Sequence, residues 1–165
     1  MNIIKLLGVV SAIIFVGCKS LYPTVPRISF PLSEYKALKQ KGTGIIKGQA
    51  FLKTRGGDVK KAAGNIVMLN PVTSYSHQWY NVSYLQQKNI AQPDLRNERY
   101  IIKTIADAEG KFEFIDVPPG NYYLVTHVFW EAPVGPRGAM EVQGSYIAKK
   151  VEVRNGNSIK VILTK

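Results

Sequence analysis

From Gly44 onward, apolar and polar residues trade places with a period near two. Lys111–Ile115 (KFEFI) alternates cleanly and puts Phe112 and Phe114 on one face of a strand. Asn121–Trp130 (NYYLVTHVFW) is the strongest strand signal, dense in aromatic and β-branched residues. Gly44–Lys53 alternates in part. Asn65–Asn70 is a short apolar strand ended by Pro71, and Tyr100–Ala106 is another. Ser145–Val153 and Ser158–Thr164 complete the set, and Asn155-Gly156 between them predicts a hairpin. Turn signals stand at Arg55–Asp58, Asp107–Gly110 and Asp116–Gly120. About seven short strands with regular turns predict an all-β fold, an antiparallel sandwich. Two stretches break the rhythm. Val72–Arg99 is polar and aromatic, with a short helix expected around Ser76–Lys88. Glu131–Gly144 is rich in Gly and Pro and reads as an irregular loop.

The first 43 residues follow another pattern. Lys5 precedes an apolar run, Leu6–Val16, then Gly17 and Cys18, the only cysteine. At ~1.5 Å per helical residue such a run falls well short of a ~30 Å hydrocarbon core. It reads as a cleaved secretory signal over residues 1–17. Residues 18–43 read as a tether and lead-in. Pro23, Pro26 and Pro31 oppose a long helix. Ser33 is expected to cap a short helix through Lys41, with Gly42 as its stop. Residues 44–165 then form the sandwich.

The leader's tail, Phe15-Val16-Gly17-Cys18, resembles the lipobox of bacterial lipoproteins, with Phe15 where Leu is usual. The resemblance implies cleavage before Cys18 and a covalent lipid on its thiol. It also implies a membrane partner through that anchor and a place in the bacterial cell envelope. Lys19, rather than Asp, after the cysteine resembles the pattern of outer-membrane sorting in Gram-negative bacteria. Two or more acyl chains anchor stably, where one is marginal. A lone exported cysteine has no partner for a disulfide, so stability must come from the core.

Charge adds a second constraint. The chain carries 22 Lys and Arg against 11 Asp and Glu, and loss of Lys5 with the leader barely changes that excess. Such a field favours anionic partners. For an exported protein these are lipid head groups, lipopolysaccharide, wall polymers or acidic proteins. Nucleic acid is not expected, because the compartment is wrong and no recognition motif is present.

Two stretches resemble the carboxypeptidase regulatory-like domain, a small sandwich of transthyretin/Ig-like topology. The first runs from Gly48 through Ala63-Gly64-Asn65-Ile66-Val67-Met68-Leu69. The second is Asp107-Ala108-Glu109-Gly110-Lys111-Phe112-Glu113-Phe114 followed by Val117-Pro118-Pro119-Gly120-Asn121-Tyr122. Gly110 and Gly120 are expected at positive φ in tight turns. Phe112, Phe114 and Tyr122 are large enough to fill the space between two sheets. The resemblance implies a fold and is nearly silent on function. Residues 72–99 depart from the family pattern as an insertion, where a special function would sit.

Catalytic chemistry finds little footing. His77 and His127 are the only histidines. No metal-ligand spacing and no Gly-x-Ser-x-Gly elbow occurs. The Tyr-Arg-Gly-Ser terminus of the transthyretin-like hydrolase of 5-hydroxyisourate is missing. His127 reads as a packed or sheet-surface residue. His77, Trp79, Tyr80 and Tyr84 form the candidate ligand-binding set, since aromatic rings stack on sugars and peptides at low entropy cost. The same spacing suits a helix packed on the sandwich. No catalytic residue, metal or cofactor other than the lipid is expected. The leading expectation is a lipid-anchored, non-enzymatic interaction or structural module. The alternatives are an envelope glycan or lipopolysaccharide binding module, or an accessory subunit of an envelope or secretion assembly.

Overall fold

Period-two burial decides which side of each strand enters the core. The computed structural model describes residues 23–136 and 138–165; the leader and Cys18 lie outside them. In β1 (Gly44–Lys53), Ile46, Ala50 and Leu52 are buried while Lys47 and Lys53 are exposed. β1 is the hub of the first sheet. It pairs antiparallel with β2 (Val59–Lys61) and β5 (Lys111–Val117), and parallel with β8 (Ser158–Leu163). The second sheet has the order β4-β3-β6-β7, all antiparallel, from β4 (Ile102–Ile105), β3 (Ile66–Pro71), β6 (Gly120–Val134) and β7 (Ala139–Val153).

The two inner faces meet in one core. Ile46, Phe112, Phe114 and Leu163 come from the first sheet; Val67, Leu69, Leu124 and Ile147 come from the second. Each such side chain contributes roughly 1.5–3 kcal/mol by leaving water, set against the entropy of ordering the chain. Tyr122 is also buried here, and its hydroxyl donates to the Pro118 carbonyl at 2.9 Å, tying the turn to the strand. The all-β sandwich expected from the alternation is therefore the observed fold, with eight strands among the described residues.

Several local expectations need correction. β7 and β8 do not form a hairpin. The Arg154–Asn157 turn carries the chain from the second sheet to the first, where β8 takes the edge of β1 opposite β5. Val161 and Leu163 can enter the core from either sheet, so alternation alone left the partner open. Glu131–Gly144 is no irregular loop. β6 and β7 pair without interruption from Gly120↔Val153 to Val134↔Ala139, an arm whose far end has no third strand. There Pro133 breaks no ladder on its free side. The turn glycines Gly135 and Gly138 have φ of +72° and +63°.

Near the first core turn, Gly110 is at φ +71° as expected, but Gly120 is not at positive φ; Asp116 is, at +55°. Helix α1 spans only Leu32–Lys36, with Pro31 at its N-cap and no side-chain cap from Ser33. Within the lead-in, residues 25–35 pack against the rest of the domain. Val25 bridges to Ile90, and Tyr35 is fully buried. No helix among the described residues is long and apolar enough to cross a membrane.

Candidate binding site

The insertion between β3 and β4 builds a cleft on the outer face of the second sheet. Helix α2 (Ser74–Trp79) begins two residues before its expected start and runs on into a π-helical turn, Tyr80–Leu85. Its N-cap is Thr73, whose hydroxyl accepts from Ser76 N while Ser76 Oγ accepts from Thr73 N at 2.9 Å. Glu34 adds an external cap, accepting from Ser74 N and Ser74 Oγ at 2.7 and 2.6 Å. Those hydrogen bonds hold the Glu34 carboxyl below the usual carboxylate range.

A buried polar chain fixes the helix to the neighbouring segments. Thr73 Oγ1 donates to the Tyr35 hydroxyl at 3.1 Å, which donates to Asn97 Oδ1 at 2.8 Å. Ser76 Oγ donates to the Pro71 carbonyl at 2.7 Å. Tyr35 stacks on Phe30 with centroids 4.5 Å apart and lies 4.7 Å from Tyr100. Burial raises the Tyr35 hydroxyl above its ordinary value, so it stays a neutral donor at every physiological pH. On the far side, the Tyr75 hydroxyl accepts from Asp94 N at 2.7 Å and holds the 90–94 strand of chain. Asp94 also binds Arg96 through both carboxylate oxygens, and its carboxyl is held down at about 2, mainly by that hydrogen bond.

The space enclosed is about 340 Å³, within the ~300–1,000 Å³ of small-molecule sites. Met68, Asn70 and Val125 make the floor. Tyr75 and Trp79 form one wall, and Ile90–Pro93 with Asn97 and Glu98 form the other. Arg27 and Tyr146 of β7 complete its lining. The floor holds an anomaly. Asn70 Oδ1 is buried and has no hydrogen-bond partner among the described residues. Leaving such an acceptor unpaired costs about 1–3 kcal/mol.

Of the four candidate binding residues, only Trp79 lines this cleft. Tyr80 stacks on Tyr123 at 4.4 Å, and Tyr84 lies 5.2 Å from Tyr80 and 6.2 Å from Trp79. Those rings, with Trp79, pack over Tyr123, Val125 and Ala148, a second apolar cluster that seats the insertion on the sheet. His77 is exposed, its ring between the Tyr123 hydroxyl at 2.6 Å and the Asn81 side chain at 3.0 Å. His127 lies on the arm's outer face beside Phe129 and Tyr146. Arg27, Asn70, Asn97 and Tyr146 were missed by sequence reasoning. They lie far apart in the chain, and only Asn70 carried a signal: a polar residue between apolar strand positions. Among the described residues no three His, Cys, Asp or Glu side chains are placed to hold a metal ion.

The comparisons give this geometry a context. No protein-family model matches the chain, and no curated protein matches it. A crystal structure of a proposed carbohydrate-binding protein from Pseudomonas aeruginosa is similar, with a TM-score of 0.73 and 29% sequence identity. The match covers 84% of this chain and 99% of that one. The class defined by fold and site is thus a β-sandwich with a cleft built on its outer face by an insertion.

Proposed function

We propose that this chain is a non-enzymatic binding module that takes a saccharide in the Trp79–Asn70 cleft. The carrying observation is a cleft walled by Trp79 and Tyr75 with the polar Asn70 side chain on its floor. Sugars need this combination. The ring's C–H face packs on an aromatic, and hydroxyls satisfy amide and carboxylate groups. The similar structure of a proposed carbohydrate-binding protein supports the reading. Envelope glycan fragments are the first ligands to try. Interaction with an envelope assembly is the second reading, resting on the projecting β6–β7 arm and the basic net charge.

Asn70→Leu separates function from folding. The leucine has nearly the same shape and removes an unsatisfied acceptor, so thermal stability should hold or rise slightly. Affinity for peptidoglycan disaccharide or lipopolysaccharide core oligosaccharide, measured by calorimetry, should fall at least ~10-fold, a loss of about 1.4 kcal/mol. Wild-type affinity in a stable Asn70→Leu protein would place the ligand elsewhere.

The display site in this reading is the envelope membrane, through a lipid on Cys18. The lipobox-like Phe15–Cys18 sequence motivates it. Cys18→Ala should release the protein from the membrane fraction and leave the leader uncleaved by the lipoprotein route. Membrane retention equal to wild type would remove the anchor from the model of function.

A further inference from the structure

Arg27 is the exception among the charges around the cleft. Arg96 is paired with Asp94, and Lys103 is paired with Glu98. Arg27 forms no ion pair with any described residue. Its Nε donates to the Ala91 carbonyl at 2.9 Å, and its guanidinium carbon sits 4.9 Å above the Tyr75 ring. The side chain is half-buried, and desolvation lowers its pKa without neutralising it. The backbone bond and the ring fix the guanidinium plane and occupy Nε, while Nη1 and Nη2 have no hydrogen-bond partner among the described residues. Arg27 also lines the adjoining depression with Phe30, Gln92, Arg96 and the Arg96-paired Asp94, so its side chain is shared by the two hollows.

A desolvated, pre-oriented guanidinium with a free edge is built for a planar anion. Carboxylate is the match in size and fork geometry, giving paired charge-assisted hydrogen bonds. Resting on the saccharide reading above, we propose that the ligand is an acidic saccharide whose carboxylate docks on Nη1 and Nη2 of Arg27 while its ring lies against Trp79 and Asn70. Two sources share this chemistry: a uronic acid, and an amino sugar carrying a lactyl ether. The protein's net charge of +11 would steer either toward the surface, but only a seated pair at Arg27 would discriminate acid from neutral sugar.

The test compares three probes on the purified chain by calorimetry at fixed ionic strength. They are trigalacturonate, its carboxyl-reduced neutral counterpart, and N-acetylglucosaminyl-N-acetylmuramic acid. An acidic probe should bind at least ~10-fold tighter than the neutral trisaccharide, about 1.4 kcal/mol. Which acidic probe wins identifies the source. Arg27→Gln should bring the ratio near one, and Arg27→Lys should restore it in part. Lys160→Gln, which removes one charge on an exposed strand position of the first sheet, should leave it unchanged. An equal effect of Lys160→Gln and Arg27→Gln would reduce the preference to general charge attraction and overturn the assignment. Equal affinity for acidic and neutral sugars would overturn it too while leaving saccharide binding intact. No binding of any probe would overturn both. Unchanged melting temperature of Arg27→Gln would confirm that the comparison reads binding.

Discussion

Phe114→Ala is expected to lower the unfolding free energy by about 3–5 kcal/mol. The side chain is 3% exposed and sits in the layer between the sheets, edge-on to Phe112 at 6.0 Å. Its strand partner Ile46 is fully buried, so the walls of the space left behind are β-strands locked by two ladders. Such walls collapse poorly, and a cavity term adds to the lost transfer energy. Against a typical total of 5–15 kcal/mol, this loss leaves the domain marginal. Urea unfolding should show a lower midpoint at unchanged slope. Ile115→Ala, one residue on and 64% exposed, should change stability by less than ~0.5 kcal/mol. A loss under ~1 kcal/mol for Phe114→Ala would mean that the ring does not fill the inter-sheet layer.

The second large effect is expected at Gly110, and Gly64 supplies its control. The two glycines have nearly identical φ, +71° and +72°. A Cβ at Gly64 would meet open space, so Gly64→Ala should cost only the left-handed strain, about 1–2 kcal/mol. A Cβ at Gly110 would lie 2.6 Å from the Ala50 carbonyl oxygen and 3.2 Å from Ala62 N. Those atoms belong to backbone bonded in place, since Ala62 N donates to Ala50 O and Ala50 N donates to Gly110 O, both at 2.9 Å. β1 cannot move without opening both bonds. Gly110→Ala should therefore exceed Gly64→Ala by roughly 1–3 kcal/mol. Equal losses, measured by the same urea titration, would show that the turn can shift away from β1.

The fold was legible where burial on one face enforces alternation. Phe112 and Phe114 announce β5, and the Asp107–Gly110 turn before it is read correctly because the left-handed φ at Gly110 has one natural occupant. Gly120 shows the limit of that reasoning. A Pro-Pro-Gly run suggested positive φ at the glycine, yet the left-handed residue is Asp116, four positions earlier. The arm shows a second limit. Glycine and proline density signals weak propensity, but fifteen-residue strands paired along their whole length override it through cross-strand bonds. Of the site, the aromatic insertion was visible and Trp79 with it. The division of labour inside that segment was not. Tyr80 and Tyr84 serve packing over Tyr123 while Trp79 also faces a cleft, and a spacing of four or five residues cannot tell those faces apart when the helix widens into a π-turn.

By itself the sequence determined the class of fold, the core strands, the basic charge and the insertion as the place of interest. These follow from local periodicity, which is written along the chain. The tertiary structure alone decided that β8 joins β1 rather than β7, that the lead-in docks through Tyr35, and that Arg27 lines the same cleft as Asn70 and Trp79. Those bring together residues more than 30 positions apart or pair equivalent open edges, where many pairings satisfy the same hydrophobic pattern. Packing of the whole molecule is what selects among them.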